Sequence, residues 1–468
     1  MRNRPTNEQF LQQLRDMVDG LRESIRGGAF PDGEYLPSEK ELAAKFGLSN
    51  NSVRKGLEQL VEEGWIEKVP RVGNRVRANS VERRPVTLTL NCNQASFRNL
   101  ELAALLDDFH RRHPWITVKT KAYGGTLEDE HGDGEAADLI MLDNYQFQRI
   151  AEEGRALYFK ALPSKEGIYP ALSKLFVFEE ACRMQPIIFS PIVLCYNKAH
   201  FRECGLEEPD GSWTWDDLMG CAERLSNGKG RYGFGAHVQD MNRWPIFLLQ
   251  SGERFERENG RLKDLRGSRL LQSMRIAKSL IHNRKASPLF LSESNNDTIK
   301  LFMEGKLSMI LNSYMGLNVW KQSDLDYDLS PVPFIHEPRT LMICLGLGVN
   351  ARSGHMKEAM LLADYLGSSR ASRLIASRTL SIPALRPLPA LAADSSIRRP
   401  ERYGLYRDIL FSCRTHGDLN IPLSAFPAIF QPLKEYWADM IGEDELCERI
   451  GSVLADNEAE TVVADGVD

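Results

Sequence analysis

Residues Phe46–Trp65 read FGLSNNSVRKGLEQLVEEGW. Val53, Leu57, Leu60 and Val61 recur at the spacing of one buried helix face. Ahead of them stands LSNNSVR, a knot of short polar residues and an arginine. Gly47 can end a preceding helix in the left-handed conformation. Ser49 or Asn50 can cap the next helix by accepting the orphan N–H groups of its first turn. Two such residues suffice for a cap. Ser49, Asn50, Asn51, Ser52 and Arg54 exceed that need, so this helix start presents hydrogen-bonding side chains outward.

The flanking sequence supplies a context for that surface. Phe10, Leu14, Met17, Leu21 and Ile25 repeat at close to 3.6 residues, which predicts a helix over Asn7–Arg26. GGAFPDGEY, Gly27–Tyr35, breaks it. Ser38 and Glu41 form the pattern of a capping box and start a short helix ending at Gly47. The helix with the polar knot ends near Gly64. Trp65 and Ile66 begin a strand, and KVPRVGNRVRA reads as a hairpin with Gly73-Asn74 at its tip. Helix, short helix, turn, helix and basic hairpin are the order of a winged helix-turn-helix. A recognition helix sets its N-terminal residues against base edges in the major groove. Asn and Ser offer donors and acceptors there, and Arg suits guanine or phosphate. Arginines on a wing suit phosphates or a narrow minor groove.

LPSEKELAAKFGLSNNSVRKGLEQLVEEGWIEKV, Leu36–Val69, resembles the DNA-binding domain of the GntR family of bacterial transcription regulators. The resemblance covers about the first 78 residues. It implies DNA contacts at Lys40, Ser49, Asn50, Asn51, Ser52 and Arg54, and on the wing at Arg71, Gly73 and Arg75. Two departures stand out. Lys40 occupies the place of a phosphate-binding arginine and is a point charge rather than a fork. Arg71 replaces the usual first wing glycine.

The chain has 468 residues, enough for two or three domains, and a net charge of −5. It is therefore no basic nucleic-acid binder as a whole, although Lys68, Arg71, Arg75, Arg77, Arg83 and Arg84 face a single acid, Glu82, between Lys68 and Arg84. The first thirty residues lack the apolar core of a signal peptide, and no run of about 18 apolar residues could span a membrane. The expected location is cytoplasmic, with no membrane partner. Eight scattered cysteines form no C-x-x-C pair, so reduced thiols are expected and no zinc site. His110 and His113 precede Pro114 and read as solvated rather than as metal ligands. Ser226-Asn-Gly-Lys229 matches a Ser-x-x-Lys spacing, but in a glycine-rich loop that would not aim a nucleophile. No nucleophile elbow, P-loop or dinucleotide fingerprint is present. The expectation is a protein that is not an enzyme and needs no cofactor.

Residues 79–85 read as a linker, and the texture changes from Pro85 onward. VTLTLN (Val86–Asn91), HPWITVKTKAY and DLIMLDN read as strands, the last a buried parallel one, with a helix bearing Leu100, Leu105, Leu106 and Phe109 between the first two. EDEHGDGEAA is most simply a solvated acidic turn. WTWDDL, NRWPIF and LNSYMG place aromatics beside polar residues at loop-to-helix junctions, the composition of a carbohydrate pocket, although any one of these aromatics reads more readily as core than as a ligand contact.

QPIIFSPIVLCYNKAHFRECGLEEPDGSWTWDDLMGCAERL, with FMEGKLSMILNSYM further on, resembles the extracellular solute-binding proteins of sugar ABC transporters over roughly residues 86–468. The fold this implies is an N-terminal winged helix followed by a two-lobed α/β domain of the periplasmic-binding-protein type (type II), with ligand between the lobes. Leu194, Tyr196, Asn197 and Lys198 would mark the crossing into the second lobe. The resemblance implies ligand contacts at Asn93, Gln94, Asp143, Asn144, Tyr145, Ser190, Asn242, Trp244 and Tyr314. The expected protein is a homodimeric, ligand-responsive regulator that binds operator DNA and senses a small molecule, a sugar or oligosaccharide. A transport binding protein is a rival that the missing export signal and the DNA-binding head disfavour, and two alternatives stand beside the expected protein. One is a regulator whose second domain binds another effector, pyridoxal phosphate or an amino compound. The other is a domain that only dimerises and binds no ligand.

Overall fold

The computed structural model describes residues 7–26, 29–77, 84–122, 136–258, 261–287, 294–386 and 396–464. Most of the expected linker and of the acidic turn lies outside the described residues. The chain separates into two compact units, Met1–Pro85 and Val86–Asp468.

The first unit contains α1 (Asn7–Arg26), α2 (Glu39–Phe46), α3 (Asn50–Glu62), and the strands β1 (Ile66–Val69) and β2 (Gly73–Val76). Met17, Val18, Leu21, Leu42, Val53, Leu57, Leu60, Ile66 and Val76 close one core among all five elements. Gly56 lets α1 and α3 approach: a Cβ there would stand 2.4 Å from Met17 Cε. Ser38 and Glu41 form the expected capping box, and Gly47 ends α2 at φ +66°. The hairpin differs from expectation. Val69 pairs with Gly73 and Lys68 with Asn74, so the tip is Pro70–Val72 and Gly73-Asn74 open β2.

In the second unit, β3 (Val86–Cys92) is followed by α4 (Gln94–Leu100), α5 (Leu102–Arg112), β4 (Ile116–Ala122), β5 (Leu139–Asp143) and α6 (Asn144–Glu152). The expected single helix after β3 is thus two, broken at Glu101, whose φ is +50°. Beyond them lie β6 (Met184–Asn197), β7 (Tyr232–Gly235), α7 (Trp244–Gln250), α8 (Asn295–Met303), β8 (Leu307–Ser313), β9 (Tyr327–Ser330), β10 (Thr340–Val349) and α9 (Phe426–Trp437), with further helices and strands between. The strand order is β4-β3-β5-β10-β6-β8-β7, with β9 also on β6.

All fourteen residues of β6 are buried, and the strand serves two lobes. Its Met184–Pro191 half pairs with β10. Its Ile192–Asn197 half pairs with β8 and β9. Pro186 and Pro191 cannot donate to a ladder, so a central strand carries them only at irregularities. Pro186 lies at a register shift, opposite Gly346, and Pro191 lies at the change of partners.

This arrangement decides where a site can form. β3, β4 and β5 run parallel, β10 runs against β5, and β6 against β10. In the other lobe β8 runs against β6, ending with Ser313 opposite Ile192, and β7 is parallel to β8. The carboxyl ends of the parallel strands in both lobes therefore converge on the Ser190–Ile192 level of β6. Ligands of open α/β sheets bind outside such strand ends.

Candidate DNA-recognition surface and ligand cleft

Ser49 is the N-cap of α3: its Oγ accepts from the Ser52 backbone N–H. The Ser52 hydroxyl bonds back to Ser49 Oγ at 2.7 Å, and Ser52 is only 5% exposed. Ser52 thus belongs to the cap and not to the outward surface. Ser49, Asn50, Asn51 and Arg54 are exposed, as is Lys40 on the preceding helix. Arg54 is held by Glu39 of α2, with Nη2 to Oε2 at 2.9 Å. On the wing, Arg71 stands at the tip with φ +66°, a left-handed conformation that disfavours a side chain. Gly73 has φ +147°. Arg75 and Arg77 both turn to Glu67, Arg77 Nη2 lying 2.7 Å from Oε2. Lys40 and Arg71 form no ion pair among the described residues, so their charges are free to meet phosphates.

In the second unit the strand ends hold the other predicted residues. Asn93 and Gln94 are exposed after β3, and the Asn93 side chain caps α4. Asp143 ends β5 and caps α6 in a reciprocal box with Gln146. Burial pushes its carboxyl upward from the usual range, and the Asp240 carboxylate from the facing lobe adds to that. Asn144 Oδ1 accepts the Cys344 N–H at 2.8 Å. Tyr145 packs on the His416 ring at 4.6 Å between centroids and donates its hydroxyl to the Leu423 carbonyl. The two lobes therefore touch here.

Four of the predicted contacts are interior: Asn144, at 2% exposed, and Ser190, Tyr314 and Trp244. Ser190 Oγ accepts the Tyr314 N–H at 2.7 Å, which places it at the strand crossing as a support. The Tyr314 ring is fully buried against Tyr403 and Tyr406, its hydroxyl donating to the Tyr403 carbonyl. Trp244 is 1% exposed, stacked on Phe430 with centroids 5.8 Å apart and tilted against Phe426. Asn242, half-buried, donates its backbone N–H to Asp240 Oδ1 at 2.7 Å.

Two members of the site escaped the sequence reading. Arg243 follows Asn242, is 4% exposed, and has no carboxylate within ion-pair distance among the described residues. His416 is 1% exposed, donates Nε2–H to the Met241 carbonyl, and is pushed down by burial to about 4, hence neutral. Arg243 lay inside a quoted motif, where the neighbouring tryptophan drew the reading. His416 had no local signal, being brought in from 175 residues away.

The histidines read as solvated are half-buried instead. His110 Nε2 accepts the Val118 N–H, and His113 packs between Phe109 and Trp115. Ser226 accepts the Gly233 N–H at the end of a helix. Among the described residues no group of three or more His, Cys, Asp or Glu is placed to hold a metal, and no helix is long and apolar enough to cross a membrane.

The profile of the bacterial extracellular solute-binding protein family matches residues 98–372, and that of the bacterial regulatory proteins of the gntR family matches residues 14–76. A multiple sugar-binding protein of Streptococcus mutans is 23% identical over 322 residues, 64% of this chain and 75% of that protein. The probable transcriptional regulator PhnF of Escherichia coli is 37% identical over 110 residues, 24% of this chain and 42% of the regulator. The chain thus spans three quarters of the first relative and less than half of the second. Among solved structures, an ABC substrate-binding protein from Listeria monocytogenes in complex with cycloalternan superposes with a TM-score of 0.69 at 17% identity, covering 80% of this chain and 99% of that one.

Proposed function

The chain belongs to the bacterial extracellular solute-binding protein family and carries a gntR-family DNA-binding domain ahead of it, and from that premise we propose that it is a transcription regulator whose solute-binding domain senses a carbohydrate. One observation carries the reading. Strand ends of two lobes converge on a cleft with unspent polar groups, in the same chain as a winged helix whose recognition helix presents Asn50, Asn51 and Arg54 outward.

On the DNA side, Asn50, Asn51 and Arg54 read base edges, Ser49 seats the helix start, and Lys40, Arg71 and Arg75 contact phosphates around Gly73. One winged helix reads too short a site for genomic specificity. Two copies of the chain bind an inverted repeat with half-sites about one helical turn apart. On the ligand side, Asn93, Gln94, Asp143, Tyr145 and Asn242 line the cleft. Asn144, Ser190, Trp244 and Tyr314 stand behind it. The sugar-binding relative and the cycloalternan held by the Listeria protein support a carbohydrate effector. The regulator works in the cytoplasm, where its operator is, and carries out no reaction.

The test is footprinting of the promoter regions flanking the gene, with and without a panel of mono- and oligosaccharides. Protection of an inverted repeat that a sugar strengthens or relieves is expected. Protection indifferent to every sugar would overturn the sensing role, and no protection would overturn the regulator.

A further inference from the structure

Among the described residues, Arg243 is a buried cation, 4% exposed, with no ion pair. Its side chain leaves the segment between β7 and α7, at the level where the strand ends of both lobes meet. Nη1 donates to the Asn242 carbonyl at 3.1 Å. Nε is buried with no partner. The nearest titrating groups are Asp240 and the Cys195 thiol. Asp240 is already engaged, with Oδ1 on the Asn242 N–H and Oδ2 on Asn295 Nδ2 at 2.8 Å. Asp143 is committed to its helix cap. The Asp240 carboxylate acts on Arg243 from beyond ion-pair distance, but burial outweighs that attraction, so the guanidinium is left without a directly paired carboxylate.

Among the described residues, other buried polar atoms at the strand ends of the two lobes share a bias. Asn144 Nδ2, Trp244 Nε1 and Asn312 Nδ2 are also buried and unpartnered. Both amides are fixed in orientation, because Asn144 Oδ1 accepts from Cys344 and Asn312 Oδ1 from Ser313. These are all donors. The unpartnered acceptors at the same level are Asn295 Oδ1 and His416 Nδ1, the latter left with a lone pair because Nε2 carries the proton. A neutral sugar would meet this set with hydroxyls alone and leave the guanidinium without a paired carboxylate. One with a carboxylate meets it fully.

We propose that the effector is a sugar acid, a uronate or aldonate residue, whose carboxylate pairs with Arg243 while its hydroxyls donate to Asn295 and His416. One guanidinium balances one carboxylate, and its fork matches the planar group. The proposal rests on the sensing role given above and narrows it to an acidic ligand.

Full-length protein is titrated by calorimetry with glucuronate, galacturonate, gluconate and their short oligomers, beside the matched neutral sugars and hexose phosphates. Binding of an acid, at least tenfold tighter than its neutral counterpart, is expected. Arg243→Met should weaken it by about 100-fold or more, the consequence of removing one partner of a buried charge pair, while Arg243→Lys retains part of the affinity. Thermal unfolding of the ligand-free Arg243→Met protein should show a melting temperature equal to or above the parent's. Equal binding of the neutral member overturns the acidic ligand but leaves sugar sensing intact. Preference for a phosphate overturns the carboxylate. No binding by any acid, or a melting temperature several degrees lower in Arg243→Met, also overturns the proposal, the last by making Arg243 structural.

Discussion

Arg54 on the recognition helix is gripped by Glu39 on the helix before it, with Nε 3.2 Å from Oε1 and 3.1 Å from Oε2, and Nη2 2.9 Å from Oε2. Exposed ion pairs contribute little stability, so the pair is better understood as a positioning device that DNA must open or share. The two partners then have opposite effects. Arg54→Ala should weaken operator binding by about 5- to 150-fold if the guanidinium meets a base. Glu39→Ala removes a competing carboxylate and should tighten binding. Band-shift titration on the native promoter measures both. Equal losses from the two variants would make the pair structural, and unchanged affinity and base preference in Arg54→Ala would remove that residue from the contacts.

Arg71 holds a left-handed conformation at the wing tip, where glycine sits without penalty. Arg71→Gly should therefore stabilise the hairpin by up to about 1 kcal/mol. The same change removes a free cation facing phosphate, so operator affinity should fall and its salt dependence flatten by about one unit of slope. Denaturant unfolding and salt-dependent band shifts report the two effects. A variant that is more stable and binds equally well would show that Arg71 does nothing for DNA.

Burial alone would raise the Asp108 carboxyl, but Arg370, Tyr365 and Arg111 together hold it well below the usual carboxylate range. Arg370 grips both oxygens, at 2.7 and 2.8 Å, and ties α5 to the helix Ser369–Arg378. A depressed acid stabilises the fold above its unfolded value near 4, and the contribution is lost as pH falls toward its folded value. Asp108→Asn should cost about 1.5–3 kcal/mol at pH 7, the worth of hydrogen bonds to a charged group, because the partly exposed Arg370 keeps access to water. The gap from the parent should narrow below pH 4. A gap independent of pH would mean that packing, not charge, is lost.

His416 is likewise held deprotonated by the fold, but here burial itself is the cause. Its folded value is about 4 against the ordinary 6.5, so the unfolded chain takes up the proton first. Stability is full above 6.5 and declines as pH falls toward 4, by about 3 kcal/mol over that window at roughly 1.36 kcal/mol per unit. His416→Gln should flatten this slope. Chemical unfolding at pH 7, 5.5 and 4.5 is the measurement, and identical slopes in the two proteins would place a charged imidazole in the fold.

Much of this molecule was legible because it is local. The capping box at Ser38 and Glu41, the left-handed Gly47 and the 3.6-residue stripe of Val53, Leu57 and Leu60 are written within a few residues of one another. The hairpin tip was misplaced by three residues because glycine and asparagine advertise a turn, whereas the chain forces Arg71 into it. The break at Glu101 carries no glycine or proline; it is set by tertiary contacts, among them Lys321. The cleft was harder still. Side-chain type marked Asp143, Asn144 and Tyr145 correctly as a strand end, but only pairing register shows which lobe faces which. The aromatic character of Trp244 and Tyr314 does not distinguish pocket from interior, because aromatics serve cores as readily as sugars.

Trp244 separates these two uses of one side chain. Its ring is closed between Phe426 and Phe430, while Nε1–H has no partner. Trp244→Ala should cost about 3–5 kcal/mol through the cavity it leaves, and any loss of ligand affinity in that variant would be uninformative. Trp244→Phe keeps most of the stacking surface and deletes only the donor and part of the ring. Removing an unsatisfied buried donor is nearly neutral for stability, so its unfolding midpoint should stay within a few degrees of the parent's. If Nε1–H bonds a ligand oxygen, affinity should fall about five- to tenfold, the worth of one neutral hydrogen bond. Operator binding without ligand should not change, because the winged helix is a separate unit. Calorimetry, thermal unfolding and a band shift on the same preparation give the three readings. Undiminished ligand binding in Trp244→Phe would leave Trp244 as a core residue and transfer the search for the aromatic contact to Tyr145.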